Sequence, residues 1–500
     1  MPVFKLIVTM KYKLFFVFAL VMANHSFAQS PIIEFIDSLA LNKMKNFQVP
    51  GLAIGIIQND TVLYAKGLGV KSINDPEPLT QESLFHMASV SKPFTATALM
   101  QLESQGKLEL KDKLFDWLPE FKMRDPEYKL ISLKHILTHT SGIPDVVDYQ
   151  WDKAEYDSGS AFRYVRSFSE SELDFTPGTG FNYSNAAFDL LAAVIQKASG
   201  QTFEDYLQDH ILGPTRMVNS TFLKKEVPPA LATSPHVFDD KMRLIKSPVY
   251  PYNRRHAPSS TLHSNIDDIL QWARLQLQEG NFDGKQIISQ SAFKALTKIQ
   301  KPLGEDRGIC LGWFQDKIND EVIIKHSGGD EGYSAFFGFL PEKKLAITIM
   351  ANNDLIITEH LATVILHKIL NGKSLNYKTP IHIALGHLIY EKDITTFKET
   401  YYAYKNQHAD AFGFGNGYLD GLGYQLLDDG MYEKAVDIFK LQVSEHPEEP
   451  GFYDSVGDGY RAWERQKIAL NWYLKANQKD PEGKMSKEKI DEIKIALIKE

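Results

Sequence analysis

The feature that most constrains the fold is a 34-residue period near the C-terminus. Four pairs of similar residues share this spacing: Gly423 and Gly457, Ala435 and Ala469, Phe439 and Tyr473, and Pro447 and Pro481. A period of this length is typical of a unit of two helices, which buries its apolar faces by stacking on the next unit. The period therefore predicts an all-helical repeat region.

These residues resemble the tetratricopeptide repeat, and the resemblance implies a helical repeat domain over residues 380–500. Because about three units are usual for stability, Thr395–Lys405 is interpreted as part of an earlier, degenerate unit. Stacked repeats offer a groove to a protein or peptide partner. A passive role in dimerisation or stabilisation is equally compatible with the pattern.

Residues 31–372 form a second predicted domain, with mixed patterns. Apolar residues have helical spacing at both ends of this domain and through most of its middle. Strand-like runs lie between these helical stretches. The runs are 52–57, 61–69, 309–315, 321–326, 334–340 and 345–350. Asn59-Asp60 between the first two indicates a hairpin. Strands at both ends with helices between predict an α+β fold, in which one antiparallel sheet is flanked by helices.

The first 28 residues have the features of a secretory signal peptide. Lys11 and Lys13 precede an apolar run at 14–23, and Ser-Phe-Ala at 26–28 is a small-x-small cleavage site. The run is too short to span a bilayer comfortably, although a single membrane anchor is the alternative interpretation. We expect no stable membrane span after the signal is removed.

Charge and cysteine content also bear on location and partners. The formal net charge is −8, whereas a nucleic-acid-binding surface needs a clustered basic excess, so no nucleic-acid partner is expected. Cys310 is the only cysteine, which excludes an intrachain disulfide, and its apolar neighbours indicate a small buried side chain. Export, acidity and the lack of a disulfide predict a bacterial periplasmic or extracellular protein.

The candidate nucleophile comes from four Ser-x-x-Lys sequences, which begin at Ser89, Ser104, Ser291 and Ser486. Only the first leads into a long apolar helical stretch, and the N-terminus of a buried helix stabilises developing negative charge. Lys92 falls one turn after Ser89 on the same face. A lysine with a lowered pKa can take the proton of a serine hydroxyl, so Ser89 and Lys92 are predicted to be catalytic.

A second motif, Tyr183-Ser-Asn185, follows a turn signal at 175–178. A phenol beside a lysine can pass a proton to a leaving group, so Tyr183 is the third predicted catalytic residue. Asn185 is expected to hold both the lysine and a substrate amide.

A third motif, His326-Ser-Gly328-Gly329, lies at the end of an apolar strand. Glycine on a strand permits close backbone approach of a ligand, which places these residues at the substrate. The backbone N–H groups of Ser89 and Gly329 would then form an oxyanion hole, worth about 3 kcal/mol per donor.

In this order, Ser89-x-x-Lys92, Tyr183-x-Asn185 and the His-x-Gly motif resemble the serine β-lactamase and penicillin-binding-protein superfamily. The second and third motifs resemble its class C β-lactamase-related branch, which includes D-alanyl-D-alanine carboxypeptidases, D-aminopeptidases and esterases. Residues 137–144 and 312–313 also resemble that branch.

The resemblance covers residues 31–372 and implies a helical subdomain beside the sheet, with the active site between them. It implies an acyl-Ser89 intermediate, base and acid roles shared by Lys92 and Tyr183, and hydrolysis by water without a metal or other cofactor. In many members the third motif begins with lysine, a fixed cation that attracts a substrate carboxylate. Here His326 stands in its place, and the charge of a histidine depends on pH.

His135 and His139 lie four residues apart on a predicted helix, as zinc ligands can. The glutamate that a metalloprotease places after the first histidine is missing, which favours a role in supporting the fold.

The leading hypothesis is an exported hydrolase of amides or esters, acting on D-amino-acid peptides of cell-wall type or on small esters. A β-lactamase is the first alternative. The second alternative is a catalytically weak ligand sensor whose repeat region binds a protein partner. The intact set of Ser89, Lys92, Tyr183 and Asn185 favours a hydrolase over a sensor.

Overall fold

The structure is a computed structural model that describes residues 31–355, 357–415, 417–482 and 484–499. The predicted signal peptide at 1–28 lies outside the described residues. The chain divides into two compact units, 1–42 and 43–500. Of the first unit, residues 31–42 are described, and they belong to the helix Pro31–Phe47. All features below lie in the second unit.

An eight-stranded antiparallel sheet lies at the centre of the N-terminal part of this unit. The strands are β1 (Gly51–Gln58), β2 (Thr61–Gly69), β3 (Lys301–Gly304), β4 (Arg307–Ile309), β5 (Phe314–Ile318), β6 (Glu321–Asp330), β7 (Tyr333–Leu340) and β8 (Leu345–Ala351). Their order is β2-β1-β8-β7-β6-β5-β4-β3. Because β1 pairs with β8, strands distant in sequence close one sheet, which confirms the predicted α+β fold.

Two hairpins of the sheet have the same turn chemistry. Asn59 and Asp60 join β1 to β2 with φ angles of 48° and 63°, and Asn319 and Asp320 join β5 to β6 with 49° and 66°. Positive φ at both central residues matches the right-handed twist of the strands, and Asn and Asp tolerate it well. The hairpin predicted at Asn59-Asp60 is confirmed.

The expected single strand over 309–315 is wrong. Gly312, with a φ of 71°, turns the chain between β4 and β5, and its N–H donates to the carbonyl of Leu137. A Cβ atom there would lie 2.6 Å from the Cβ of Ala96. Cys310 within this turn is buried, as predicted, and burial raises the pKa of its thiol to about 12.

Helices pack on the sheet and provide most of the regular secondary structure between β2 and β3. Their bounds are Ser91–Ser104, Leu114–Trp117, Leu133–Leu137, Ser160–Val165, Asn185–Asp189, Leu191–Ser199, Phe203–Leu207, Ala257–Ser260, Ile266–Leu277, Gln290–Thr297 and, after β8, Thr358–Asn371. Short strands also occur there and were not predicted, because two or three residues are too few to show a period of two. They pair Phe85–His86 with His263–Ser264, His236–Phe238 with Leu244–Lys246, and Asn281–Phe282 with Lys285–Gln286.

The helix Ser91–Ser104 is buried on every side from its first residue to Leu102. Phe94 stacks on Trp272 with ring centroids 3.9 Å apart. The polar residues on this helix are therefore buried and need partners. Ser91 accepts a hydrogen bond from the backbone N–H of Leu262, and Thr95 donates to the carbonyl of Pro258. These bonds fix the position of the helix beside the sheet.

The C-terminal region is helical. Its helices are Ile381–Glu391, Ile394–Gln407, Asp420–Asp428, Tyr432–Glu445, Pro450–Ala462, Gln466–Lys479 and Lys484–Lys499. The strand Thr379–Pro380 precedes the first of these helices and pairs in parallel with Phe412–Gly413, which lies between the second and the third. In the ranges that the structure describes, no helix combines the length and the apolar character needed to cross a bilayer.

The 34-residue period has a direct structural meaning. A Cβ atom added to Gly423 would lie 2.3 Å from the ring of Phe439, and one added to Gly457 would lie 2.4 Å from the ring of Tyr473. Each aromatic ring thus packs on the bare backbone of the preceding helix. The glycine and the aromatic residue recur together because they form one contact.

We predict that Gly457→Ala destabilises this region by about 1–3 kcal/mol, because the added methyl group overpacks against Tyr473. Gly451→Ala is the matched control, since Gly451 lies on the same helix, Pro450–Ala462, with nothing near its Cβ position. This control should be neutral or stabilising by up to about 1 kcal/mol. Hydrogen exchange of peptides from the last four helices measures both effects. Equal protection in the two variants would contradict the packing argument.

Candidate active site

Ser89 lies in a 3₁₀ turn, Ala88–Val90, which leads directly into the helix Ser91–Ser104. The sequence predicted Ser89 at the N-terminus of a buried helix, and the structure places it in the turn just before that helix. Ala88 has a φ of 46°, in the left-handed region that residues with a side chain rarely adopt. Such strain persists where the surroundings hold it, and it often marks functional sites.

Lys92 makes three hydrogen bonds from its ammonium group. Nζ lies 3.0 Å from the hydroxyl oxygen of Ser89, 2.5 Å from Oδ1 of Asn185 and 3.0 Å from the carbonyl oxygen of Ser259. An ammonium group has three protons and no acceptor, so these partners use all of them. When Lys92 is neutral, its lone pair becomes available to the proton of Ser89.

Burial lowers the pKa of Lys92 to about 8, against the opposing effect of Asp189, Asp330 and Asp145. The charged form loses hydration in the interior, and the three carboxylates recover only part of that loss. At pH 7 roughly a tenth of the molecules would then carry a neutral Lys92, compared with far fewer for an exposed lysine. Lys92 is therefore a competent base near neutral pH.

Tyr183 lies against both members of this pair. The Nζ atom of Lys92 is 4.8 Å from the centre of the Tyr183 ring. Burial raises the pKa of Tyr183 well above its usual value, against a hydrogen bond with Ser89 that lowers it. The phenol therefore keeps its proton at neutral pH and can donate it.

Asn185 orients Lys92 from the start of the helix Asn185–Asp189. Its amide nitrogen donates to a carboxylate oxygen of Asp145, 3.1 Å away, and to the hydroxyl of Tyr149, 2.8 Å away. Its oxygen accepts from Lys92, so all of its strong hydrogen-bonding groups have partners inside the protein. The structure brings Asn185 to the lysine as predicted, and its contact with a substrate amide stays a prediction.

His326 lies on β6 near Tyr183, with ring centroids 6.4 Å apart. Its Nδ1 lies 2.7 Å from the carbonyl oxygen of Ser327 and donates to it. Burial and the nearby charge of Lys92 lower the pKa of His326 to about 3. The sequence indicated a charge that varies with pH, but the buried ring is neutral across the neutral range.

Gly328 brings β6 against the nucleophile. A Cβ atom at Gly328 would lie 2.5 Å from the carbonyl oxygen of Met87 and 2.9 Å from the backbone nitrogen of Ser89. Only glycine permits this approach. Gly329, which pairs with Ser334 on β7, has open space at its Cβ position. The two predicted N–H donors, of Ser89 and Gly329, thus belong to segments in direct contact.

Several residues of the site gave no clear signal in the sequence. Asp145 and Tyr149 hold Asn185. Ser259 acts through its backbone carbonyl. Every residue has such a carbonyl, so a motif of side chains cannot reveal this contact. Asp145 follows the 137–144 segment noted above, and that position is the one available hint.

The two histidines considered as zinc ligands have different structural roles. The N–H of His135 donates to Ser132, which caps the helix Leu133–Leu137. His139 lies beyond the end of that helix, and its ring stacks on Tyr183 with centroids 4.2 Å apart. The expected shared helix is therefore wrong, but His139 does support the site. Within the described ranges, no group of three or more His, Cys, Asp or Glu could hold a metal ion.

A cavity of about 280 Å³ opens beside Tyr183 and His326, and we call it the side cavity. The remaining lining residues come from β3 to β6 and from the helix Thr358–Asn371: Leu303, Arg307, Gly308, Phe314, Gln315, Asp316, Lys325, Ser327 and Glu359. Four of these residues carry charge. The cavity shares Tyr183 and His326 with the candidate site, and Ser89 is not among its lining residues.

The antiparallel sheet, the pairing of Ser89 with the buried Lys92 and the glycine approach define the class of β-lactamases and penicillin-binding proteins. The family model described as Beta-lactamase matches residues 36–364, more than half of the chain. The chain belongs to the β-lactamase family.

Relatives support this assignment. "Protein flp" of Staphylococcus aureus strain MW2 is 27% identical over 69% of this chain and 66% of its own length. "Penicillin-binding protein 4*" of Bacillus subtilis strain 168 is 28% identical over 59% of this chain and 66% of its own length. The chain thus spans just under two thirds of these curated relatives.

Solved structures agree with the fold. The octameric penicillin-binding protein homologue from Pyrococcus abyssi has a TM-score of 0.61 and 27% identity, covering 68% of this chain and 78% of that one. SurE has a TM-score of 0.57 and 22% identity over 67% of this chain and 74% of its own. At that identity, SurE supports the fold alone.

We predict that kcat/KM for an ester substrate rises with pH through a midpoint of about 8, because deprotonation of Lys92 creates the base. Activity should fall below that pH as the ammonium regains its proton. Lys92→Arg should abolish most activity, because arginine stays charged. Initial rates between pH 5 and pH 10 check this prediction. A flat profile over this range in the wild type would exclude Lys92 as the base.

Proposed function

We propose that this protein is an exported serine hydrolase that cleaves an amide or ester bond through an acyl-Ser89 intermediate. The observation that carries the proposal is the 3.0 Å contact between the hydroxyl of Ser89 and the buried amine of Lys92. A serine hydroxyl is a weak nucleophile until a nearby base accepts its proton, and a structural lysine would have no reason to be buried beside it with a pKa of about 8.

The reaction proceeds in two steps. Ser89 Oγ attacks the substrate carbonyl while its proton moves to Lys92, and the backbone N–H groups of Ser89 and Gly329 stabilise the oxyanion. The leaving nitrogen or oxygen takes a proton from Tyr183, which regains one from Lys92. A water molecule then attacks the acyl-Ser89 ester by the same route in reverse, which releases the acid and restores the serine.

The proposed substrates are D-amino-acid peptides of cell-wall type, followed by small esters. A relative called a penicillin-binding protein supports the first class, since the site that binds penicillin in such proteins is an acyl-transfer site. We also assign the chain to the class C β-lactamase-related branch, on its Tyr183-x-Asn185 and His326-x-Gly328 motifs. Carboxypeptidase, aminopeptidase and esterase activities all lie within this proposal.

A β-lactamase is the second candidate function, because the matching family model carries that description. Hydrolysis of nitrocefin distinguishes it from the first. Release of D-alanine from a D-Ala-D-Ala peptide, without turnover of nitrocefin, would favour the peptidase.

We further propose that two regions of the chain have different functions. Residues 31–372 form the hydrolase domain, and residues 380–500 form tetratricopeptide-like repeats that bind a protein or peptide. The contact of Gly423 with Phe439 and that of Gly457 with Tyr473 support the repeat assignment. Export to a bacterial periplasm or outer surface rests on the signal-like segment at 1–28.

We predict that a fluorophosphonate probe adds once to the mature wild-type protein and not to Ser89→Ala. The reason is that only a serine with an adjacent base reacts readily with this electrophile. Ser291→Ala, in a second Ser-x-x-Lys sequence on the helix Gln290–Thr297, is the matched control and should label like the wild type. Intact-mass spectrometry measures the adduct. Labelling of Ser89→Ala at the wild-type level would mean that another residue is the nucleophile.

A further inference from the structure

We propose that the side cavity receives the leaving group and selects one without a negative charge, so that amides, esters and internal peptide bonds are cleaved in preference to a C-terminal residue with a free carboxylate. This inference rests on the proposed function and narrows it. It separates the carboxypeptidase activity from the other activities of the class.

The position of the cavity follows from the proton that the leaving group needs. Nζ of Lys92 lies 3.0 Å from the hydroxyl oxygen of Ser89 and 4.8 Å from the centre of the Tyr183 ring, and Tyr183 forms part of the cavity wall together with His326. A group that donates a proton to the leaving atom must be within hydrogen-bond reach of it. The leaving group therefore lies against Tyr183, and the adjoining space is the side cavity.

The cations that line the cavity already have carboxylate partners. Nζ of Lys325 lies 2.8 Å from Glu359 and 3.1 Å from Asp316. Nε of Arg307 lies 3.2 Å from Asp316, and its side chain is 67% exposed. Two cations thus face two carboxylates. His326, the remaining basic side chain in the lining, is neutral because burial lowers its pKa to about 3.

Glu359 is the critical negative charge. Its second carboxylate oxygen accepts a hydrogen bond of 2.5 Å from the hydroxyl of Ser327, next to His326 in the chain. Burial disfavours its ionisation, but Lys325 and Ser327 together hold the pKa of Glu359 below its usual value. The carboxylate is therefore charged and held in place at the cavity wall.

A substrate carboxylate in this cavity would be unfavourable for two reasons. It would lose hydration without gaining an unpaired cation, and it would lie near the fixed charge of Glu359. The inner site does not compensate, because the charges of Asp145, Asp189 and Asp330 already act on Lys92 there. A carboxamide or an alcohol meets neither difficulty.

Two substrate pairs test the inference, each with one acyl group and two leaving groups. The peptide pair is acetyl-D-Ala-D-Ala and its C-terminal carboxamide. The ester pair is 3-acetoxybenzoate and 3-acetoxybenzamide, which release a charged and an uncharged phenol. For the wild type we expect kcat/KM to favour the uncharged member of each pair by at least about tenfold.

Glu359→Gln removes the negative charge and leaves Lys325 with one partner, so Lys325 can attract a substrate carboxylate. We expect the preference for the uncharged member to fall by about tenfold or to reverse. Glu342→Gln makes the same chemical change at an exposed residue outside the cavity and should leave the ratio unchanged. The ratio within one preparation does not depend on the fraction of folded enzyme, so partial misfolding cannot mimic the result.

The outcomes distinguish failure of the leaving-group inference from failure of the proposed hydrolase function. Turnover of the ester pair alone contradicts the peptide substrate, while the ester ratio still decides the charge preference. Equal rates or a preference for the carboxylate in the wild type overturn the inference and leave the hydrolase proposal intact. An unchanged ratio in Glu359→Gln overturns the role of Glu359. No turnover of any of the four compounds overturns both proposals.

Discussion

The burial of one ammonium group governs the arrangement around it. Lys92 is fully enclosed, and an unpaired charge in that position would cost several kcal/mol. It donates three hydrogen bonds: to Ser89 in the turn before the helix, to Asn185 and to the carbonyl of Ser259. Segments far apart in the chain must therefore meet at one atom. The burial that requires these three partners also lowers the pKa of Lys92, and the lowered pKa makes it a base.

The sheet contributes to the site through what two residues of β6 lack. Gly328 has no side chain where β6 meets the turn of Ser89, and His326 carries no charge. Catalytic groups come from the helical layer, while the strand supplies backbone and shape. Asp316 on β5 and Lys325 on β6 line the side cavity and pair with each other.

The parts of the molecule that follow a local period could be predicted from the sequence. Ser89 and Lys92 lie one helical turn apart, Asn59-Asp60 has the chemistry of its turn, and the repeat glycines lie 34 residues apart. The side cavity could not be predicted, because Lys325 meets Glu359 across 34 residues of intervening fold without a shared motif. The break at Gly312 was missed for a related reason: its apolar neighbours look like a strand, and only the contact with Ala96 requires the turn.

The single thiol of the chain has a practical consequence. Cys310 is buried in the turn between β4 and β5, and its raised pKa keeps it in the unreactive protonated form. A maleimide dye would therefore find no competing target in the native protein. One cysteine introduced at an exposed position, such as the rim residue Leu303, could be labelled selectively without any prior removal of native cysteines. The wild-type sequence is thus already suited to fluorescence measurements of binding beside its active site.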